Sequence, residues 1–155
     1  MMPNTWKSVK NLTVVLSYRN EERYTQFRKA LDMMLNDSEV QDLWLVVVLP
    51  GGIKKEELSQ HKLISYLGPK DISWLGKLTD ESIASRMSRK SDMVLWFEMN
   101  DKKPMKLLST LPTKTMVAVG IELSTAQIHI QPTTSDPSEI VTFVQQTLQK
   151  INNHE

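Results

Sequence analysis

Residues 43–49 read LWLVVVL. Seven consecutive apolar positions, rich in β-branched valine, show no alternation of apolar and polar residues. A strand with this pattern needs cover on both faces, as a central strand of a parallel sheet has. The segments on either side fit that frame. LTVVLS (12–17) reads as a second buried strand, and RNEERYTQFRKALDMMLND (19–37) between the two as an amphipathic helix. Tyr24, Phe27, Ala30, Leu31, Met34 and Leu35 recur at helical spacing along its apolar face. Asn20 is placed to cap it, with Glu21 and Glu22 in the first turn where acids meet the positive end of the helix dipole.

Further along, KLISYL (62–67) predicts a weaker strand, and TDESIASRMSRK (79–90) a helix capped by Thr79. DMVLWFE (92–98) is a strong strand. NDKKPMKLLSTL (100–111) is a helix with Pro104 in its first turn, where proline is tolerated. TMVAVGIE (115–122) is another strand, and AQIHIQ (126–131) follows after a few residues. Because a parallel crossover usually takes about a dozen residues, this last strand is expected to run antiparallel at an edge. DPSEIVTFVQQTLQKI (136–151) predicts a helix with Asp136 as cap, Pro137 first and Glu139 completing a capping box; Ile140, Phe143, Val144, Leu148 and Ile151 form its apolar face. Alternation of this kind predicts a three-layer α/β fold, Rossmann-like or flavodoxin-like. It has a mainly parallel sheet of five to six strands, with helices on both faces and the last strand antiparallel. No linker, repeat or low-complexity segment interrupts the 155 residues, so a single domain over 1–155 is expected.

Composition bounds the function classes. Hydrophobic residues are 40% and charged residues 24% of the chain, as in ordinary soluble domains, and net charge is +1. A nucleic-acid binder usually carries a basic excess or stripe; here the cations are interleaved with acids. The densest group, SRMSRKSD (85–92), reads first as a solvated helix end. With no cysteine in the chain, disulfides, thiolate metal sites and a cysteine nucleophile are excluded, which fits a reducing compartment. MMPNTWKSVKN lacks the apolar run of a signal peptide, and no apolar run approaches the ~18–20 residues of a membrane span. The expected location is the cytoplasm.

Ligands of open parallel sheets bind beyond the carboxyl ends of the strands, where strand order reverses. All five glycines follow strands, and Lys54, Lys55, Lys70, Lys77, Lys102 and Lys103 lie in the same loops or just past them. Ser17, Arg19 and Asn20 follow the first strand and precede a helix N-terminus. The segment LGPKDISWLGK (67–77) sets Ile72, Trp74 and Leu75 among polar residues. Two readings stand for it. Trp74 either plugs the end of the core, or forms a lid or stacking platform beside Lys70 and Lys77. The candidate ligand-binding residues are therefore Ser17, Arg19, Asn20, Lys70, Trp74 and Lys77, facing an anionic or nucleotide-like small molecule.

Standard chemical motifs are missing. SYRNEE has no GxGxxG, PGGIKKEE lacks the spacing and GK[ST] ending of a P-loop, and no GxSxG is present. His61, His129 and His154 are scattered, without metal-ligand spacing. Glu98 and Asp101 are placed for acid–base work at the end of the fourth strand, although Asp101 is equally a helix cap. No cofactor, metal or catalytic residue is expected. A non-catalytic module acting through protein contacts, or through an unidentified ligand, is the leading reading. Trp6 and the edge strand at 126–131 are its candidate contact surfaces, the latter open to homodimer pairing.

Lys70-Asp71, Trp74, Gly76, Asp92 and Gly120 carry a resemblance over about residues 10–151. The chain resembles the uncharacterised DUF6913 domain family, found mostly in Bacteroidetes, although AQIHI departs from the aspartate that often opens the family's last strand. The resemblance implies no activity. DMVLWFE…VAVG is also distantly similar to the first half of heptosyltransferase-type glycosyltransferases, whose second, nucleotide-binding half this chain has no room for.

Overall fold

The computed structural model describes residues 6–97 and 102–153, with side chains to Ile151. Glu98, Asp101 and His154 lie outside the described residues. Six strands, β1 (Asn11–Ser17), β2 (Asp42–Val48), β3 (Ile64–Leu67), β4 (Ser91–Phe97), β5 (Thr113–Val119) and β6 (Ile128–Ile130), form one sheet in the order β3-β2-β1-β4-β5-β6. Every pairing is parallel. This is the Rossmann strand order, which reverses direction between β1 and β4.

Alternation along each strand divides the core. Leu12, Val14, Leu16, Leu45, Val47, Met93, Leu95 and Phe97 face α1 (Glu21–Asn36) and α4 (Pro137–Asn153). Val15, Trp44, Val46, Val94, Trp96 and Ala118 face α2 (Glu81–Met87) and α3 (Lys102–Leu108). Because both faces are covered, the LWLVVVL run is buried from Trp44 to Leu49. The β2–β3 crossover holds a single 3₁₀ turn, Lys55–Glu57, in place of a full helix, and Ile53 and Leu58 pack it on the α1 side.

Asn20 caps α1 as expected, its Oδ1 accepting the Arg23 N–H at 2.8 Å. The cap of α2 is Asp80, not Thr79: Asp80 Oδ1 accepts the N–H groups of Ser82 and Ile83 at 2.9 and 3.2 Å. A carboxylate one residue closer to the helix reaches these donors. Asp136 accepts the Glu139 N–H at 3.0 Å, but Glu139 returns to the Thr134 hydroxyl at 2.6 Å rather than to the Asp136 N–H. The described face of α4 buries Ile140, Val141, Val144 and Leu148, while Phe143 is 40% exposed.

Two further expectations are corrected. The last strand is parallel to its neighbour: Val117, Ala118 and Val119 pair with Ile128, His129 and Ile130. A helix-sized crossover is unnecessary because β6 pairs with the last three residues of β5, so the chain retreats only ~10 Å before pairing. Gly120, at φ 70, starts that retreat, in a conformation other residues rarely adopt. Leu123 and Ala126 pack the loop onto the α3 face, His129 Nε2 lies 3.0 Å from the Leu123 carbonyl, and the Gln127 side chain accepts the Met116 N–H at 2.7 Å. Trp6 is not a contact surface. At 2% exposure it is part of the core on the α1–α4 side, in a 3₁₀ turn (Trp6–Ser8) that apolar burial holds against the sheet.

Candidate functional site

The 68–80 loop is a built structure. Asp71 is buried, and its carboxylate accepts the Gly68 N–H at 2.7 Å while Lys55 Nζ approaches Oδ2 at 2.7 Å and Oδ1 at 2.8 Å. Lys55 also stands 3.8 Å from Asp80, so one ammonium ties the β2–β3 crossover to both ends of the loop. Thr79 donates its N–H to the Asp71 carbonyl at 2.8 Å. Between these ties Ile72 and Leu78 form an antiparallel bridge. A tight turn closes on Ser73, whose N–H reaches the Lys77 carbonyl at 2.7 Å and whose carbonyl accepts the Gly76 N–H at 2.8 Å. Gly76, at φ 80, supplies the left-handed residue the turn needs.

The loop's apolar residues divide. Ile72 is buried against the α2–α3 face and acts as the plug. Trp74 does not plug the core: it is 85% exposed at the tip of the turn, beside Leu75 at 64%. Lys70 and Lys77 are exposed on either side of it.

The six candidate ligand residues do not converge on one cavity. Lys70, Trp74 and Lys77 belong to this loop beyond β3, at one edge of the sheet, with Lys70 at its base and Trp74 and Lys77 in the turn. Asn20 is used as a helix cap, and Ser17 ends β1 opposite Val48. Arg19 lines a separate cleft of about 210 Å³ with Gly120, Gln131 and Thr134 near the start of α4. A larger cleft of about 400 Å³ lies beyond β2 and β3, between Leu49, Pro50, Gly68, Pro69 and Ile72 on one side and Lys102 and Lys103 of α3 on the other. Lys102 and Lys103 carry the expected basic character of this edge; Lys55 does not, being paired within the loop. Among the described residues no group of three or more His, Asp or Glu is arranged to hold a metal, and no helix is long and apolar enough to cross a membrane.

At the opposite edge Asp92 organises the chain entry into β1. Its Oδ2 accepts the N–H groups of Lys10 and Asn11 at 2.8 and 3.1 Å, and Lys114 Nζ lies 3.4 Å from Oδ1. Burial pushes this carboxyl up, but the two N–H groups and Lys114 together hold it below the usual carboxylate range. Asp80 is also held low, first by the Ser82 hydroxyl and then by the Ile83 N–H. A carboxylate with a lower pKa folded than unfolded binds fewer protons in the folded state. Its stabilisation is complete above the unfolded value of ~4 and is lost as pH falls through the folded value. Urea unfolding of Asp92→Asn from pH 6 to pH 3 is therefore expected to show a shallower acid loss of stability than wild type. An unchanged slope would show that Asp92 gains nothing from these contacts.

Residues 2–151 match the model of a family of unknown function, DUF6913. The chain belongs to that family. In this DUF6913 chain Asp71, Gly76, Asp92 and Gly120 all have structural work: a loop tie, a turn, a strand entry and a reversal. Trp74 has no comparable packing role. Among curated proteins nothing matches. Among solved structures the chain is similar to an alpha,alpha-trehalose 6-phosphate synthase from Burkholderia multivorans, at 13% identity and a TM-score of 0.41. The match covers 94% of this chain and 39% of that one, so the chain spans well under half the length of that protein.

Proposed function

We propose that this DUF6913 chain is a single non-catalytic α/β domain that acts by protein contact, with the 73–77 turn as its contact point. Trp74 carries the reading: its side chain stands 85% exposed on a turn tied down at both ends. Burying apolar surface gains about 25 cal/mol per Å², and tryptophan is prominent among the residues that dominate protein interfaces. Because the turn is already ordered, little further order is lost on binding. A projecting side chain suits insertion into a partner better than it suits the wall of a small-molecule cavity. Lys77 in the same turn and Lys70 at the base of the loop, both exposed, favour a protein whose apolar socket is edged by carboxylates. Cysteine-free composition is in keeping with the cytoplasm as its compartment, and the family resemblance with a Bacteroidetes source.

One observation favours a second reading. The 400 Å³ cleft beside Lys102 and Lys103 is of ligand-pocket size, and would take an anionic small molecule at the carboxyl edge.

The test places a photo-cross-linking residue at Leu75 and compares it with the same chain carrying Trp74→Ala. Trp74→Ala is expected to leave Tm within ~1 °C, as for a surface substitution, and to remove a discrete adduct whose purified protein binds the wild type. An adduct with a second copy would make the partner the chain itself, visible as a dimer mass in sedimentation. Identical adducts with and without Trp74 overturn the contact reading. A phosphorylated metabolite that raises the Tm of wild type but not of Lys102→Ala would favour the cleft instead.

A further inference from the structure

The amino edge of the sheet holds a second concave site, on the face that carries α2. A cleft of about 280 Å³ opens there between β1, β2 and the end of α2, with Thr13, Trp44, Arg86, Arg89 and Lys90 in its lining. Thr13 and Trp44 are register partners on adjacent strands. The Trp44 indole is fixed by its N–H bond to the Ser65 hydroxyl at 2.9 Å. The Arg86 guanidinium lies over that ring, 5.5 Å from its centre, and donates to the carbonyls of Lys62 and Leu43 at 3.2 and 3.4 Å. Two of its five N–H donors are thus engaged and the rest are available.

Three features of this cleft favour an anionic ligand. First, none of Arg86, Arg89 and Lys90 forms an ion pair among the described residues. Asp42 is the one acid in the lining, and Asp92 nearby is already held by Lys114 and two backbone N–H groups. Second, Arg86 is held below its usual pKa, first by burial and then by the charge of Arg89, and the opposing pull of Asp42 does not offset them. Third, Thr13 is 6% exposed and lines the cleft, yet its hydroxyl has no hydrogen-bond partner among the described residues. The hydroxyl oxygen is not among the fully buried unpartnered atoms, so it is open to the cleft.

We propose that this amino-edge cleft binds the phosphoryl group of a small molecule, with Arg86, Arg89 and Lys90 as its cationic partners and the Thr13 hydroxyl donating to a phosphoryl oxygen. An arginine oriented by an aromatic face presents a planar fork suited to phosphate oxygens. Three cations against one carboxylate favour a dianion over a monoanion. The volume suits a phosphoryl group with a small remainder, since pockets for drug-sized ligands start at ~300 Å³. The site lies at the opposite edge of the sheet from the Trp74 turn and is independent of it.

The test is a ¹H–¹⁵N titration of the whole chain with inorganic phosphate and with ribose 5-phosphate, against chloride at matched ionic strength. Saturable shifts are expected at the Thr13, Trp44 and Arg86 amides and the Trp44 indole. Tighter binding of ribose 5-phosphate points to a phosphate ester as the ligand, and equal binding to free phosphate. Arg89→Ala, at an exposed position, and Thr13→Val are each expected to weaken binding by about tenfold, the worth of one charge-assisted contact. Thr13→Val is also expected to keep or raise Tm, because it removes a hydroxyl without a partner. Unsaturable shifts spread over the surface lysines overturn the proposal, as does wild-type affinity in Arg89→Ala. Shifts produced by an oligonucleotide but not by either phosphate also overturn it.

Discussion

Trp96→Ala is expected to cost about 3–5 kcal/mol, the range for removing a large aromatic from a packed core. Trp96 is fully buried in β4, and its register partners on either side are Val15 and Ala118. These small neighbours leave room for the indole on the α2–α3 face, and its removal would leave a cavity in that half of the core. Against a typical domain stability of about 5–15 kcal/mol, the loss would lower the urea midpoint sharply. Trp96→Phe separates two contributions. The indole N–H is buried without a hydrogen-bond partner among the described residues, and such an orphan costs about 1–3 kcal/mol. Phenylalanine loses some contact area but also removes the orphan, so its net cost is expected to stay well below that of Trp96→Ala. If Trp96→Phe destabilises as much as Trp96→Ala, the N–H is satisfied and this account fails.

Asp71→Ala is expected to cost about 2–3 kcal/mol, since it removes charge-assisted bonds to a backbone N–H and to an ammonium at a mostly buried position. Lys55 keeps partial access to water and Asp80 lies within 3.8 Å, so the stranded charge relaxes and the full penalty of a deeply buried pair does not apply. Tm should fall by roughly 5–10 °C, given 2–4 °C per kcal/mol for a chain of this size. Asp71→Asn keeps an acceptor for Gly68 but not the ion pair, and should lose about half as much. The functional consequence is separable. Amides of Gly68, Thr79 and the 73–77 turn should exchange faster in Asp71→Ala, and partner capture at position 75 should weaken, although Asp71 lies below the tip. Exchange as slow as wild type would show that Lys55 and Asp71 do not hold the loop.

The carboxyl-edge site was legible in part. The 67–77 segment stood out because large apolar residues sit among glycines and lysines, and its lysines are indeed at the surface. What the segment could not say is which apolar residue goes in. Ile72 and Trp74 are two positions apart, and in an irregular loop no period assigns them a side; the Lys55–Asp71 tie and the turn on Ser73 decide it. Lys55 itself looked like one more free cation because its partner is 16 residues away. The amino-edge cleft gave a partial signal, the cations of SRMSRKSD, which read as an ordinary helix end. Its other members, Thr13 and Trp44, come from distant strands, and a search confined to the carboxyl ends of strands passes over them.

Sequence by itself determined the element order, the doubly covered sheet, the apolar face of α1 and the caps at Asn20 and Asp136. These rest on local periodicity and on side chains that bond within three or four residues. Tertiary structure alone decided the strand order around β1, the parallel run of β6, the burial of Trp6 and the exposure of Trp74. Each depends on where a distant segment packs: β6 could be parallel because it needs only the last three residues of β5, and Trp6 is core because α4 returns over it. A tryptophan carries the same apolar surface wherever it stands in the chain, and the partner that covers it is not written beside it.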